Sequence, residues 1–183
     1  VVVAVKENMH IFFSGGSLPL KLPKYTKGSD TKIVPIVSSG RAAEVICKNW
    51  HKNYGVAPDA IVVEGPMAGG HLGFKEEEIY KPSFQLHQLI KDVLVAIKPF
   101  EAIYNRKIPV IAAGGIFSGR DIAEFMHLGA AGVQMATRFV ATHESDASEE
   151  FKKMYLNADP DDIQIIQSPV GMIGRAIKNK FLE

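Results

Sequence analysis

Short apolar runs alternate along this chain with longer stretches of helical period. The runs are Val1–Val5, Ile11–Phe13, Ile33–Val37, Ala60–Val63, Val110–Ala113 and Gly132–Met135. Most are rich in β-branched residues and stop at Gly, Ser or Pro, as strands buried on both faces do. Between Ile33–Val37 and Ala60–Val63, residues Arg41–Tyr54 place Ala42, Ala43, Val45, Ile46 and Trp50 mainly on one helical face. A longer helical pattern precedes Val110, with Leu86, Leu89, Ile90, Val93, Leu94 and Ile97 on its apolar side, and Ser83 is its expected N-cap. Ser118 is expected to cap a helix over Gly119–Leu128 that Gly129 ends.

Strands and helices in alternation predict βαβ units around a parallel sheet. The fold class expected is α/β, a (β/α)8 barrel of the TIM type, with residues 1–183 forming the C-terminal portion of one domain. The barrel is expected to be incomplete. Six runs fall short of the eight strands that such a barrel needs over about 250 residues. Val1–Val5 and Ile11–Phe13 also lie too close for parallel neighbours, whose crossover takes roughly a dozen residues or more. Either Val1–Val5 is no barrel strand, or a helix between the two is missing, or they pair antiparallel at an edge; loss of N-terminal βα units is the favoured reading.

Composition narrows the partners. The 183 residues are 46% hydrophobic and 22% charged, and 21 Lys and Arg against 20 Asp and Glu leave a net charge of +1. That balance points to neither nucleic acid nor an anionic membrane. Cys47 is the only cysteine and sits in an apolar stretch, which reads as a buried thiol in a reducing compartment. Lys6 and Glu7 end the first apolar run after five residues, too soon for a signal core or a membrane span. A soluble, cytoplasmic protein is expected.

Two segments carry the chemistry. In Val110-Ile111-Ala112-Ala113-Gly114-Gly115-Ile116 a strand runs into two glycines and a helix start. Glycine lets the backbone approach an anion, and free N–H groups there can point at phosphate oxygens. The plain alternative is a tight turn. The next strand end, Gln134-Met135-Ala136-Thr137, offers more amides and a hydroxyl, which favours phosphate. In Glu64-Gly65-Pro66-Met67-Ala68-Gly69-Gly70-His71 a histidine follows glycines just beyond a strand, where a flat ligand can lie on the backbone and a proton can be exchanged. Arg175 and Lys178 could approach an anionic substrate, with a surface position the safer expectation. No His, Cys and carboxylate set has metal-ligand spacing, and no Ser-His-Asp arrangement is visible.

AGGHLG after a strand, IPVIAAGGI and GAAGVQMATRFVAT, flanked by IVPIVSS and SPVGMIGRAI, together resemble the nitronate monooxygenase family and, almost as closely, the flavin-type enoyl-ACP reductases. The resemblance implies FMN at the barrel mouth. It places Glu64, Gly69 and Gly70 beside the ring system and gives the phosphate to Gly114, Gly115, Gln134, Met135, Ala136 and Thr137. His71 matches the family's active-site base, which takes the α-proton of a nitroalkane before flavin oxidises the nitronate and O2 reoxidises the flavin. The partners implied are a small-molecule substrate, nitronate or enoyl thioester, and a second copy of the chain in a homodimer. Three features depart from the pattern. Ala136 stands where the family has Gly, so a positive φ there would be strained. Glu64 stands where many members have Gln. The family's N-terminal strands, which contact the isoalloxazine, have no counterpart in the sequence. NAD(P)H-dependent enoyl reduction is the alternative activity, and a phosphometabolite-binding barrel fragment without redox chemistry the alternative outside it.

Overall fold

The computed structural model describes residues 1–182. In chain order the elements are α1 (Val2–Lys6), β1 (Ile11–Ser14), α2 (Leu22–Thr26), β2 (Lys32–Val37), α3 (Gly40–Tyr54), β3 (Ile61–Glu64) and β4 (Gly70–His71). There follow α4 (Leu86–Tyr104), β5 (Val110–Ala113), α5 (Gly119–Leu128), β6 (Gly132–Gln134), α6 (Thr137–Val140), α7 (Glu149–Asn157), β7 (Ile163–Gln167) and β8 (Ile173–Ile177). Among the described residues no helix is long and apolar enough to cross a membrane.

Five strands form a parallel sheet in the order β1-β2-β3-β5-β6. The order follows the chain without reversal, which is the arrangement of a barrel wall rather than of a doubly wound sheet. Strand alternation separates two faces. Ile33, Val37, Ile61, Val63, Val110 and Ala112 point outward into one large core with α3, α4 and α5. Val34, Val62 and Ala113 point inward and form a small second cluster. The sheet is therefore part of a (β/α) barrel. The remaining strands make a separate antiparallel sheet, β4-β8-β7.

Local chemistry explains the helix limits. Ser39 accepts from the Ala42 N–H at 3.1 Å to open α3, and Gly55 closes it in the left-handed region at φ 67°. Ala43, Ile46, Cys47 and Trp50 are its fully buried residues, whereas Val45 faces out. Ser118 and Asp121 form a capping box on α5, and Gly129 ends it at φ 111°. Burial pushes the Cys47 thiol up to about 12, so it is a packing residue and no nucleophile.

Four expectations change. Val1–Val5 is no strand but the exposed helix α1, because five residues cannot carry a parallel crossover to β1. Ser83 does not cap α4; it lies in a single 3-10 turn, Pro82–Phe84, and Gln85 is the N-cap. Met135 falls just beyond β6. Finally, β4, β7 and β8 extend the strand set beyond the apolar runs of the sequence.

Gly40 opens α3 against the backbone of α4, where an added Cβ would lie 2.9 Å from the Asp92 carbonyl oxygen. Gly40→Ala should therefore cost about 1–3 kcal/mol through overpacking, read as a lower urea midpoint. An unchanged midpoint would show that α3 and α4 can separate freely.

Candidate functional site

In a parallel sheet every C-terminal strand end lies along one rim, and three loops meet there. The β3 loop is tied directly to β5, since the Gly65 N–H donates to the Ala113 carbonyl at 2.9 Å. The Ala68 N–H then donates to the Gly65 carbonyl at 3.2 Å, folding residues 65–68 into a tight turn. That turn presses on Gly114 and Gly115. A Cβ at Gly114 would lie 3.0 Å from Ala68 N and Gly65 O, and one at Gly115 only 2.7 Å from Met67 Cβ. Both glycines also have positive φ, 94° and 78°. The close approach and the φ values require glycine here before any ligand is considered.

What the turn leaves over is a set of donors. Among the described residues the amides of Gly114, Gly115 and Ile116 after β5, and of Met135, Ala136 and Thr137 after β6, donate no hydrogen bond within the chain. The next amides along, Phe117 and Ser118, go to Asp121 Oδ2 at 3.0 and 2.8 Å. These hydrogen bonds hold the Asp121 carboxyl below the usual range. Arg138 lies over the Phe117 ring at 4.5 Å and adds a cation between the two loops. Two groups of free N–H at adjacent strand ends, with an arginine nearby, fit an anion such as a phosphate. Ala136 is at φ −127°, so the residue at this position needs no left-handed backbone and the expected strain is absent.

Glu64 closes β3, opposite Ala113, and Ala113 in turn is opposite Gln134. One methyl group thus separates two polar side chains in a single row across three strands. Glu64 shares the inward face of Val62 and is half-buried, and burial raises its carboxyl above the ordinary glutamate value. Gln134 is exposed and lines a cavity of about 460 Å³ on the inner face, with Phe13, Ile111, Val133, Met135 and Phe139. His71 and the glycine pair lie outside that lining.

His71 stands in β4, which pairs antiparallel with β8 so that His71 faces Gly174 and Gly70 faces Arg175. Leu72 donates its N–H to the Ile173 carbonyl at 2.9 Å, and Ser38 donates its hydroxyl to the Gly73 carbonyl at 2.9 Å. Leu72, Phe74 and Ile79 are buried, so the segment is anchored downstream of the histidine. Gly69 and Gly70 face open space, with nothing within 4 Å of a Cβ at either. The His71 ring is exposed and, among the described residues, has no hydrogen-bond partner in the chain. A flat group can therefore lie over Gly69 and Gly70 with an imidazole at its edge. Arg175, expected at the surface, instead reaches inward to the Pro66 carbonyl at 3.0 Å. Ser38 was invisible as a site residue, because a serine directly after a strand carries no distinguishing pattern.

The nitronate monooxygenase family model matches residues 1–183. A probable nitronate monooxygenase from Staphylococcus aureus (strain Newman) is 39% identical over 125 residues, which is 68% of this chain and 33% of that protein. The structure of FabK from Thermotoga maritima is similar with a TM-score of 0.78 at 30% identity, over 98% of this chain and 50% of that one. A nitroalkane oxidase from Streptomyces ansochromogenes shares the fold, with a TM-score of 0.76 at 24% identity over 98% of this chain and 48% of that one. The chain thus spans about a third of the curated relative and about half of each solved structure.

The raised Glu64 carboxyl has a stability consequence. In the unfolded chain Glu64 ionises at its ordinary value of 4.5, and in the folded chain only at higher pH, so folding is progressively penalised as pH rises through that window. Glu64→Gln lacks this penalty. Urea unfolding should show the variant gaining stability over the wild type at neutral pH but not below the ordinary value. A difference independent of pH would refute the buried-carboxylate account.

Proposed function

The chain belongs to the nitronate monooxygenase family, and on that premise we propose that it forms the phosphate-binding and base-bearing side of an FMN site that oxidises nitronates and nitroalkanes. One observation carries the reading above the others: the free amides at 114–116 and 135–137 lie on the same rim as the open glycines before His71.

The donors fit the cofactor's phosphate. The amides of Gly114, Gly115, Met135, Ala136 and Thr137, with the Thr137 hydroxyl, would hold the anion, and Gln134 would support the ribityl chain. Gly69 and Gly70 leave room for the ring, with Glu64 below it. When bound, FMN would supply the oxidation of the nitronate, with O2 as the acceptor that reoxidises it. The protein's part is acid-base and positional. His71 Nδ1 or Nε2 accepts the α-proton of a neutral nitroalkane, and its exposure lets it pass that proton to solvent. A preformed nitronate needs no such step. Burial raises the Glu64 carboxyl above its ordinary value, so its proton is held more tightly than in water.

Glu64 also favours a second reading, since it departs from the Gln of many nitronate monooxygenases and the chain resembles the flavin-type enoyl-ACP reductases almost as closely. On that reading the same site takes electrons from NAD(P)H and reduces an enoyl thioester.

The two are separable in the full-length protein. His71→Ala should slow turnover of neutral nitroalkanes by about 100-fold or more and spare preformed nitronates, since only the former need a base. Equal losses on both substrates would end the general-base role. Fast flavin reduction by NADH without nitronate turnover would favour the reductase, and a sample that takes up no FMN would refute both.

A further inference from the structure

Among the described residues no hydrogen bond fixes the exposed His71 side chain, so its position depends on the backbone that carries it. Upstream of His71 the chain runs through Pro66, Met67, Ala68, Gly69 and Gly70, and the two glycines have open space at their Cβ positions. Such a segment wanders unless it is tied down. Beyond the Gly65–Ala68 turn and the Ser38 contact to Gly73, the ties come from the far end of the chain. β8 supplies the strand partner of Gly70 and His71, and Ile173 accepts from the Leu72 N–H. Gly174 allows the approach, since a Cβ there would stand 3.2 Å from the Gly70 carbonyl oxygen. Arg175 Nη2 donates to the Pro66 carbonyl at 3.0 Å, across 109 positions of sequence. Arg175 shares its strand face with Ile173, which packs against the main core. Its Nε is buried and, among the described residues, has no partner, while the half-buried side chain makes its hydrogen bond through Nη2.

We propose that Arg175 is a positioning residue for His71: it pins Pro66 at the start of the segment while the β4–β8 pairing holds its end, so that the imidazole is presented at a fixed place on the rim. This rests on the role given to His71 above only for its effect on turnover; the clamp itself is a property of the fold. A lysine at 175 keeps a cationic donor that can still reach toward the Pro66 carbonyl but loses the guanidinium plane, the unpartnered Nε included. A methionine keeps the apolar stem and loses the donor.

Amide hydrogen exchange on the full-length protein without cofactor or substrate tests the clamp directly. Arg175→Met should speed exchange at Ala68 and Leu72 by about tenfold or more while Val62 and Val63 keep wild-type protection. Arg175→Lys should restore most of the protection. In the FMN-loaded protein the methionine variant should lose kcat on neutral nitroalkanes more than it raises KM, with preformed nitronate spared. Exchange that is unchanged in Arg175→Met, or faster equally in β2 and β3, overturns the proposal, as does a lysine variant no better protected than the methionine one. If exchange responds as expected but wild-type protein turns over no nitroalkane, the clamp stands and the functional reading fails.

Discussion

The candidate site depends above all on the pairing of β3 with β5. Their register sets Glu64 opposite Ala113, and the Gly65 N–H extends the ladder by one bond to the Ala113 carbonyl. From that point both chains must turn away within a few ångströms of each other. Only residues without a Cβ can do so, and Gly114 and Gly115 occupy the two places where a methyl group would strike Gly65, Met67 or Ala68. The glycines serve the packing of protein on protein. Because the same backbone leaves its amides undonated among the described residues, that packing also leaves a row of N–H groups along the rim whose chemistry suits an anion. One constraint thus gives both the shape of the site and its electrostatic character.

The parallel sheet was largely legible in the sequence because strands buried on both faces are continuous apolar runs bounded by breakers, and five such runs became β1, β2, β3, β5 and β6. Val1–Val5 shares that composition but lacks the chain length for a crossover, and it became a helix. The antiparallel sheet was not legible. In Ile163–Gln167 polar and apolar residues mix without strict alternation, and β4 is two residues long. Such strands are defined by their partners, which no local window contains. The same holds for side chains. Gly114, Gly115 and His71 announced themselves through rare residue types at a strand end, whereas Arg175 and Ser38 act through contacts 109 and 35 positions away.

Position 136 shows why a family pattern needs the geometry beside it. A glycine suggests a left-handed backbone, and alanine in its place suggests strain. Here φ is −127°, outside the left-handed region that would call for glycine, and among the described residues the amide at that position remains undonated. The substitution therefore leaves the donor set whole. What it changes is the surface, since a methyl group now borders the row of free amides. Glu64 is the complementary case. It is unexceptional as a strand-end glutamate, and only burial on the inward face gives it an altered proton affinity.

A glycine-rich loop that must present one side chain accurately has conflicting requirements. Gly69 and Gly70 clear space beside the backbone, yet each glycine adds conformational entropy that ordering must overcome. The conflict is resolved at the ends of the segment rather than within it. Leu72, Phe74 and Ile79 sink into the core on one side, and the Gly65 turn and Arg175 hold the other. Between these anchors the backbone has few ways to run, so the open glycines cost less order than their number implies. The arrangement draws on residues 64–74, 113–116 and 173–175 at once. Its assembly is therefore non-local, and the loop should acquire its final form only after the C-terminal hairpin has docked.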